Sequence, residues 1–178
     1  MLRRDFKEML GSELLSNTGG IIAGTLLALF SNKIELIPGL LILIPGFLEM
    51  KGSISGSLAA RLSSGLVIGA VKPEIKWSHL IKGNVIAAVF LALCVSAILG
   101  LTVYGALLLI GINNFSIVLI SITAGVFVNL IGIPLIIYHT FRIFKEGHDP
   151  NNIMGPFVTA EGDMISIVAL LIAITVIV

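Results

Sequence analysis

The chain is 178 residues long, 57% hydrophobic and 12% charged, where an ordinary soluble domain has about 45–50% and about 25%. That apolar excess is more than a soluble fold of this size hides, and the formal net charge of +1 excludes a strongly basic nucleic-acid surface or a large acidic tail. The single cysteine, Cys94, has no partner within the chain for a disulfide.

A bilayer solvates apolar faces but requires every backbone polar group to be satisfied inside a helix or a closed barrel. Long apolar runs, without the strict alternation a barrel needs, predict an all-α integral membrane protein. Met1 to Leu10 is charged, and no short apolar stretch with a cleavage site follows it, so no cleaved signal peptide is expected. A span needs about 20 mostly apolar residues, and the first is expected from about Glu13 to Phe30. The second segment runs from about Ile34 to Val71 and is interrupted by the polar, glycine-rich stretch Glu49 to Ser57. As one helix it would extend about 57 Å, nearly twice the bilayer core, so it must tilt, project or break. A break at Gly52 to Ser57 would line a water-filled cavity with carbonyls and hydroxyls; an ordinary flexible loop is the plainer reading. The third span is expected from Lys82 to Ile110, the fourth from Phe115 to Phe141 and the fifth from Pro156 to Val178.

Basic residues accumulate in cytoplasmic loops. Arg3, Arg4 and Lys7 precede the first span, Lys72, Lys76 and Lys82 lie between the second and third, and Arg142 and Lys145 lie between the fourth and fifth. The opposite loops hold only Lys33. The pattern predicts a five-helix bundle in the cell membrane, with the N-terminus cytoplasmic, the C-terminus outside and residues 1–178 forming one domain. Trp77 fits an aromatic anchor beside the basic connector, and His79, His139 and His148 fit interfacial positions.

An ionisable side chain at the centre of a span costs at least about 2.5–3.5 kcal/mol, which makes each one a candidate functional residue. Asp163 is the sharpest case. Thr159, Asp163 and Ser166 recur at helical spacing and share a face that should look inward; Glu161 points away from it. The alternative is a protonated Asp163, or one paired with Lys51. In the first span Glu13, Ser16, Asn17, Gly20 and Gly24 form a polar, small-residue stripe, suited to a pore or to close helix packing. In the fourth, Ser121, Gly125, Asn129 and Gly132 form a comparable stripe, with Asn129 a pore ligand or, by slight preference, a hydrogen bond between helices. The pore-lining candidates are therefore Gly52, Ser53, Glu13, Asn17, Asn129 and Ser166.

Two segments carry a resemblance to a known family. Asp149-Pro150, Gly155-Pro156-Phe157-Val158-Thr159 and Asp163 resemble the signature at the last helix of the MgtE magnesium transporters. Pro45, Lys51-Gly52-Ser53 and Leu58-Ala59-Ala60-Arg61-Leu62-Ser63 resemble a segment of their eukaryotic solute-carrier relatives. The resemblance implies five spans per repeat and, since one repeat is present, a homodimer with a two-fold axis through the pore. It implies that Asp163 binds the transported ion, Mg2+, and that the main chain of Thr159 faces it. Ser53 stands where the family has asparagine, which removes a side-chain amide from the hydrated ion. No part of the chain resembles the soluble gating domains of bacterial MgtE, so none is expected here.

The physical chemistry agrees, because magnesium takes oxygen ligands and sheds water reluctantly. No organic cofactor is implied; the expected partners are the lipid bilayer, divalent cations and a second copy of the chain. An intramembrane aspartyl protease would need two carboxylates sharing a proton. The other aspartates, Asp5 and Asp149, lie outside the expected spans, and HExxH and GxSxG are absent. The chain is thus expected not to be an enzyme. A membrane scaffold that transports nothing would leave the cost of Asp163 without a purpose.

Overall fold

The computed structural model describes residues 2–74 and 78–178; Lys76 and Trp77 of the basic connector lie outside the described residues. Six helices follow in order: α1 (Leu2–Leu29), α2 (Ser31–Glu35), α3 (Leu40–Val67), α4 (His79–Leu109), α5 (Ser116–Lys145) and α6 (Pro150–Ile177). No strand occurs among the described residues. By length and composition α4, α5 and α6 are apolar enough to cross a membrane. The helices α1 and α3 are as long as α6, but Glu13, Ser16 and Asn17 in α1, and Glu49, Lys51 and Ser53 in α3, dilute their apolar character.

The sequence led to five helices, whereas the described residues form six. The second segment does break, but at Gly39 rather than at Gly52 to Ser57. Gly39 has φ 87° and starts α3. A Cβ there would also meet Leu107 Cδ1 at 2.7 Å, so glycine is required by both backbone and space. From Leu40 the helix runs unbroken through Gly52 to Ser57 as far as Val67. The weak helix propensity of glycine and serine is overridden because Met50, Leu58 and Leu62 on the same helix are buried. A bilayer also penalises unpaired backbone.

Two other boundaries move. The first helix begins at Leu2, well before Glu13. The last begins at Pro150, not near Pro156, with Asp149 as its cap: the Asp149 side chain accepts from the Asn151 amide at 2.9 Å. Proline at the first helical position sacrifices no bond.

The helices α3, α5 and α6 pack against one another as the centre, and α4 covers α3 and α5. Among the described residues α1 packs only against α6 and the short α2. Apolar side chains form a core at each end of the bundle. One gathers Ile34, Leu40, Leu107, Ile117 and Ile174; the other gathers Leu66, Val71, Ile81, Phe141 and Met154. The second end is also where Arg3, Arg4, Lys7, Lys72, Lys82, Arg142 and Lys145 stand, since it holds the start of α1, the α3–α4 connection and the α5–α6 turn. Lys33, in α2, stands at the other end.

Candidate functional site

Residues four apart on a helix stack one above the other on the same face. Glu49 and Ser53 do so on α3, and Thr159 and Asp163 do so on α6. These two pairs, with Pro45, Leu48 and Gly52, line a cleft of about 480 Å³ between the helices. Within it the Ser53 hydroxyl donates to Glu49 Oε1 at 3.4 Å, a long bond. The Thr159 hydroxyl turns back to the Gly155 carbonyl at 3.3 Å, which leaves its oxygen lone pairs free. Asp163 is half-buried and has no hydrogen bond or ion pair among the described residues.

Depth makes this arrangement costly. Asp163 lies near the middle of α6, about 20 Å from its start at 1.5 Å per residue. A carboxylate at such a depth resists desolvation unless a cation lies beside it. Serine and threonine oxygens and free carboxylates are hard donors of the kind that suit magnesium or calcium. No group of three or more His, Cys, Asp or Glu suited to hold a metal occurs among the described residues. One chain therefore offers an open, partial set of ligands rather than a closed cage.

The expected site residues separate into two groups. Asp163, Thr159, Gly52 and Ser53 meet in the cleft. Ser166 is fully buried with its hydroxyl unpaired and does not line it. Glu13 and Asn17 are exposed on α1, on a face that carries Gly20 and Gly24, where an added Cβ would meet nothing within 4 Å. Asn129 donates to the Gly125 carbonyl of its own helix at 2.8 Å and borders a separate, apolar cavity of about 490 Å³ between α4 and α5.

Glu49 was not among the residues that sequence reasoning selected. The signal was present, an ionisable residue inside an apolar segment, but reading Glu49 to Ser57 as an interruption removed it from the membrane. Lys51, two residues on, points to the opposite side of α3 and is 2% exposed. Its ammonium donates to the Ser55 hydroxyl and interacts electrostatically with Glu161, not with Asp163. Gly132 and Gly162 make room for it: an added Cβ would come within 2.8 Å of Lys51 Nζ at Gly132 and 3.4 Å of Lys51 Cγ at Gly162. The positive charge thus lies behind the cleft and leaves its carboxylates unneutralised.

In comparison with known proteins, the sequence profile of the MgtE family, described as a divalent cation transporter, matches residues 44–173. That stretch covers most of the chain and the whole of the cleft. No curated protein and no solved structure matches.

Proposed function

The chain belongs to the MgtE family of divalent cation transporters, and on that premise we propose that it carries Mg2+ along the α3–α6 cleft, completed by the same cleft of a second copy. The observation that carries this reading is the meeting of Asp163, Thr159, Gly52 and Ser53, with Glu49, in one polar cleft midway along the helices. Asp163 is the main ligand. Thr159 and Ser53 offer oxygens to the ion's remaining water, which suits a cation that dehydrates reluctantly. A two-fold axis beside the cleft brings two Asp163 carboxylates to one ion and turns two partial ligand sets into a site.

The basic end of the bundle is cytoplasmic by the positive-inside rule, which places the N-terminus inside and the C-terminus outside. A dication then gains about 4.6 kcal/mol per 100 mV on moving inward, twice the single-charge value. Inward flux needs no other energy source. What the protein supplies is a lower barrier to desolvation.

The test is Mg2+ uptake into proteoliposomes containing this chain alone, under an imposed inside-negative voltage, with the particle mass measured in mild detergent. Voltage-driven uptake by a dimer, abolished by Asp163→Asn without loss of fold or dimer, is the expected result. Normal uptake by the Asn variant would remove Asp163 from the pathway. A strictly monomeric particle that still transports would overturn the paired cleft.

A further inference from the structure

A second cleft, of about 730 Å³, opens at the basic end between the first turns of α1 and the start of α6. Arg3, Arg4, Lys7 and His148 line it together with Gly11, Ser12, Leu15 and Ile153; the Ser12 hydroxyl is spent on the Met9 and Asn152 carbonyls. The one carboxylate on its lining, Glu8, is already engaged. It accepts from Arg4 Nε at 3.0 Å, from His148 Nδ1 at 2.8 Å and from Asn152 Nδ2 at 3.2 Å, and its side chain is 8% exposed. Arg4 also donates to the Gly147 carbonyl. Arg3 and Lys7 are exposed and have no ion-pair or hydrogen-bond partner among the described residues.

Basic and apolar residues therefore share one lining, and its one acid is neutralised. The apolar part, Gly11, Leu15 and Ile153, continues onto an uncovered apolar surface of α1, where Phe6, Leu10 and Leu14 are 61%, 48% and 60% exposed. At Gly11 no side chain obstructs the way, and an added Cβ there would meet nothing within 4 Å. A soluble anion would use the basic residues and leave the apolar ones uncovered. A molecule with a phosphate head and an acyl tail matches both.

We propose that this cleft binds an anionic phospholipid, its phosphate held by Arg3 and Lys7 and an acyl chain lying along Gly11, Leu15 and Ile153. Arg4 has a different task, since its guanidinium is occupied in holding α1 to the α5–α6 turn. The site is independent of the ion cleft. Its occupant bridges α1 and α6, so the lipid bears on the main packing contact of α1 among the described residues.

Spin-labelled lipids in reconstituted bilayers test the proposal without any transport measurement. Electron paramagnetic resonance of the protein-bound fraction should show spin-labelled phosphatidylglycerol preferred to spin-labelled phosphatidylcholine. High salt should weaken the preference, because exposed charges are screened. The Arg3→Gln/Lys7→Gln variant should lose it by up to about five-fold for each basic residue, the equivalent of about 1 kcal/mol apiece. The charge-preserving Arg3→Lys/Lys7→Arg variant should keep it. Excess inorganic phosphate should leave the preference unchanged. An absent preference in the native chain, a preference retained by the Gln variant, or displacement by inorganic phosphate would each overturn the assignment.

Discussion

The Ser12 hydroxyl of α1 lies 3.2 Å from the carbonyl oxygen of Asn152 in α6 and 2.9 Å from that of Met9 in its own helix, a donor shared between two acceptors. In an unbroken helix the Asn152 carbonyl would accept the amide of residue 156, but Pro156 has none. One helix supplies the donor that the sequence of the other removed. Ser12→Ala should lower the stability of the purified protein in detergent by about 1 kcal/mol, the cost of losing a hydrogen bond to a half-buried acceptor. Ser12→Thr should restore most of it. Unfolding curves for the three proteins check this, and coincident curves would show that the contact adds nothing.

The room left for Lys51 makes a sharper prediction. Gly132→Ala places a methyl 2.8 Å from the ammonium, and overpacking of this kind costs about 1–3 kcal/mol. Lys51→Met leaves Glu161 buried without its counter-charge and is destabilising by itself. The combined variant should be less unstable than the sum of the two, because the methyl then has no ammonium to meet. A double-mutant cycle on thermal or denaturant unfolding measures the coupling; additivity within error would refute it.

Acid should release α1. Hydrogen bonding from His148, aided by Asn152 and Arg4 and opposed by desolvation, holds the Glu8 carboxyl at about 2, below its ordinary 4.5. A depressed carboxyl stabilises the fold fully above about 4.5 and ceases to do so as pH falls towards about 2. Native protein should therefore lose stability across that window, and Glu8→Gln, which cannot titrate, should lose less over the same interval. Parallel declines in the two proteins would place the acid sensitivity elsewhere.

Glu49 supplies a prediction for the ion cleft. Glu49→Gln keeps the Ser53 hydroxyl within reach of an acceptor while removing the charge. Mg2+ uptake should become weaker in apparent affinity by about ten-fold, the effect of about 1.4 kcal/mol at the site, with the maximum rate less affected. Concentration dependence of uptake in liposomes separates the two. An unchanged half-saturation would show that Asp163 acts without Glu49.

Apolar length and loop charge were legible in the sequence because both follow from the solvent rather than from partners. The expected bounds of the third and fourth spans lie close to α4 and α5, and the basic loops do gather at one end. Glycines were harder to read, because the same residue serves opposite ends. Gly39 breaks a helix through its backbone, whereas Gly52 and Gly56 sit inside one whose neighbours are buried. Asp149 was part of a recognised motif, yet its capping role, and with it the early start of α6, depends on local hydrogen bonds from the Asn151 amide and side chain. Asp163 was singled out by the cost of a charge within a span, Thr159 by its spacing from Asp163 on one helix, and the pair by the MgtE resemblance. Glu49 carried the same local signal, a charge in an apolar segment, but its place beside Thr159 and Asp163 is a relation between segments more than a hundred residues apart that no local pattern encodes.

The isolation of α1 sets an order on how the chain is made. Among the described residues its only long partner is α6, which begins more than a hundred residues after α1 ends, so α1 must wait for α2 to α5 to be synthesised first. At about 5–20 residues per second that wait is about 6–24 seconds. During it the stripe of Ser12, Gly19 and Ala23, which finally meets α6, has nothing in the chain to cover it. A nascent chain halted before α6 emerges should therefore leave α1 bound to whatever insertion factor or lipid shelters it.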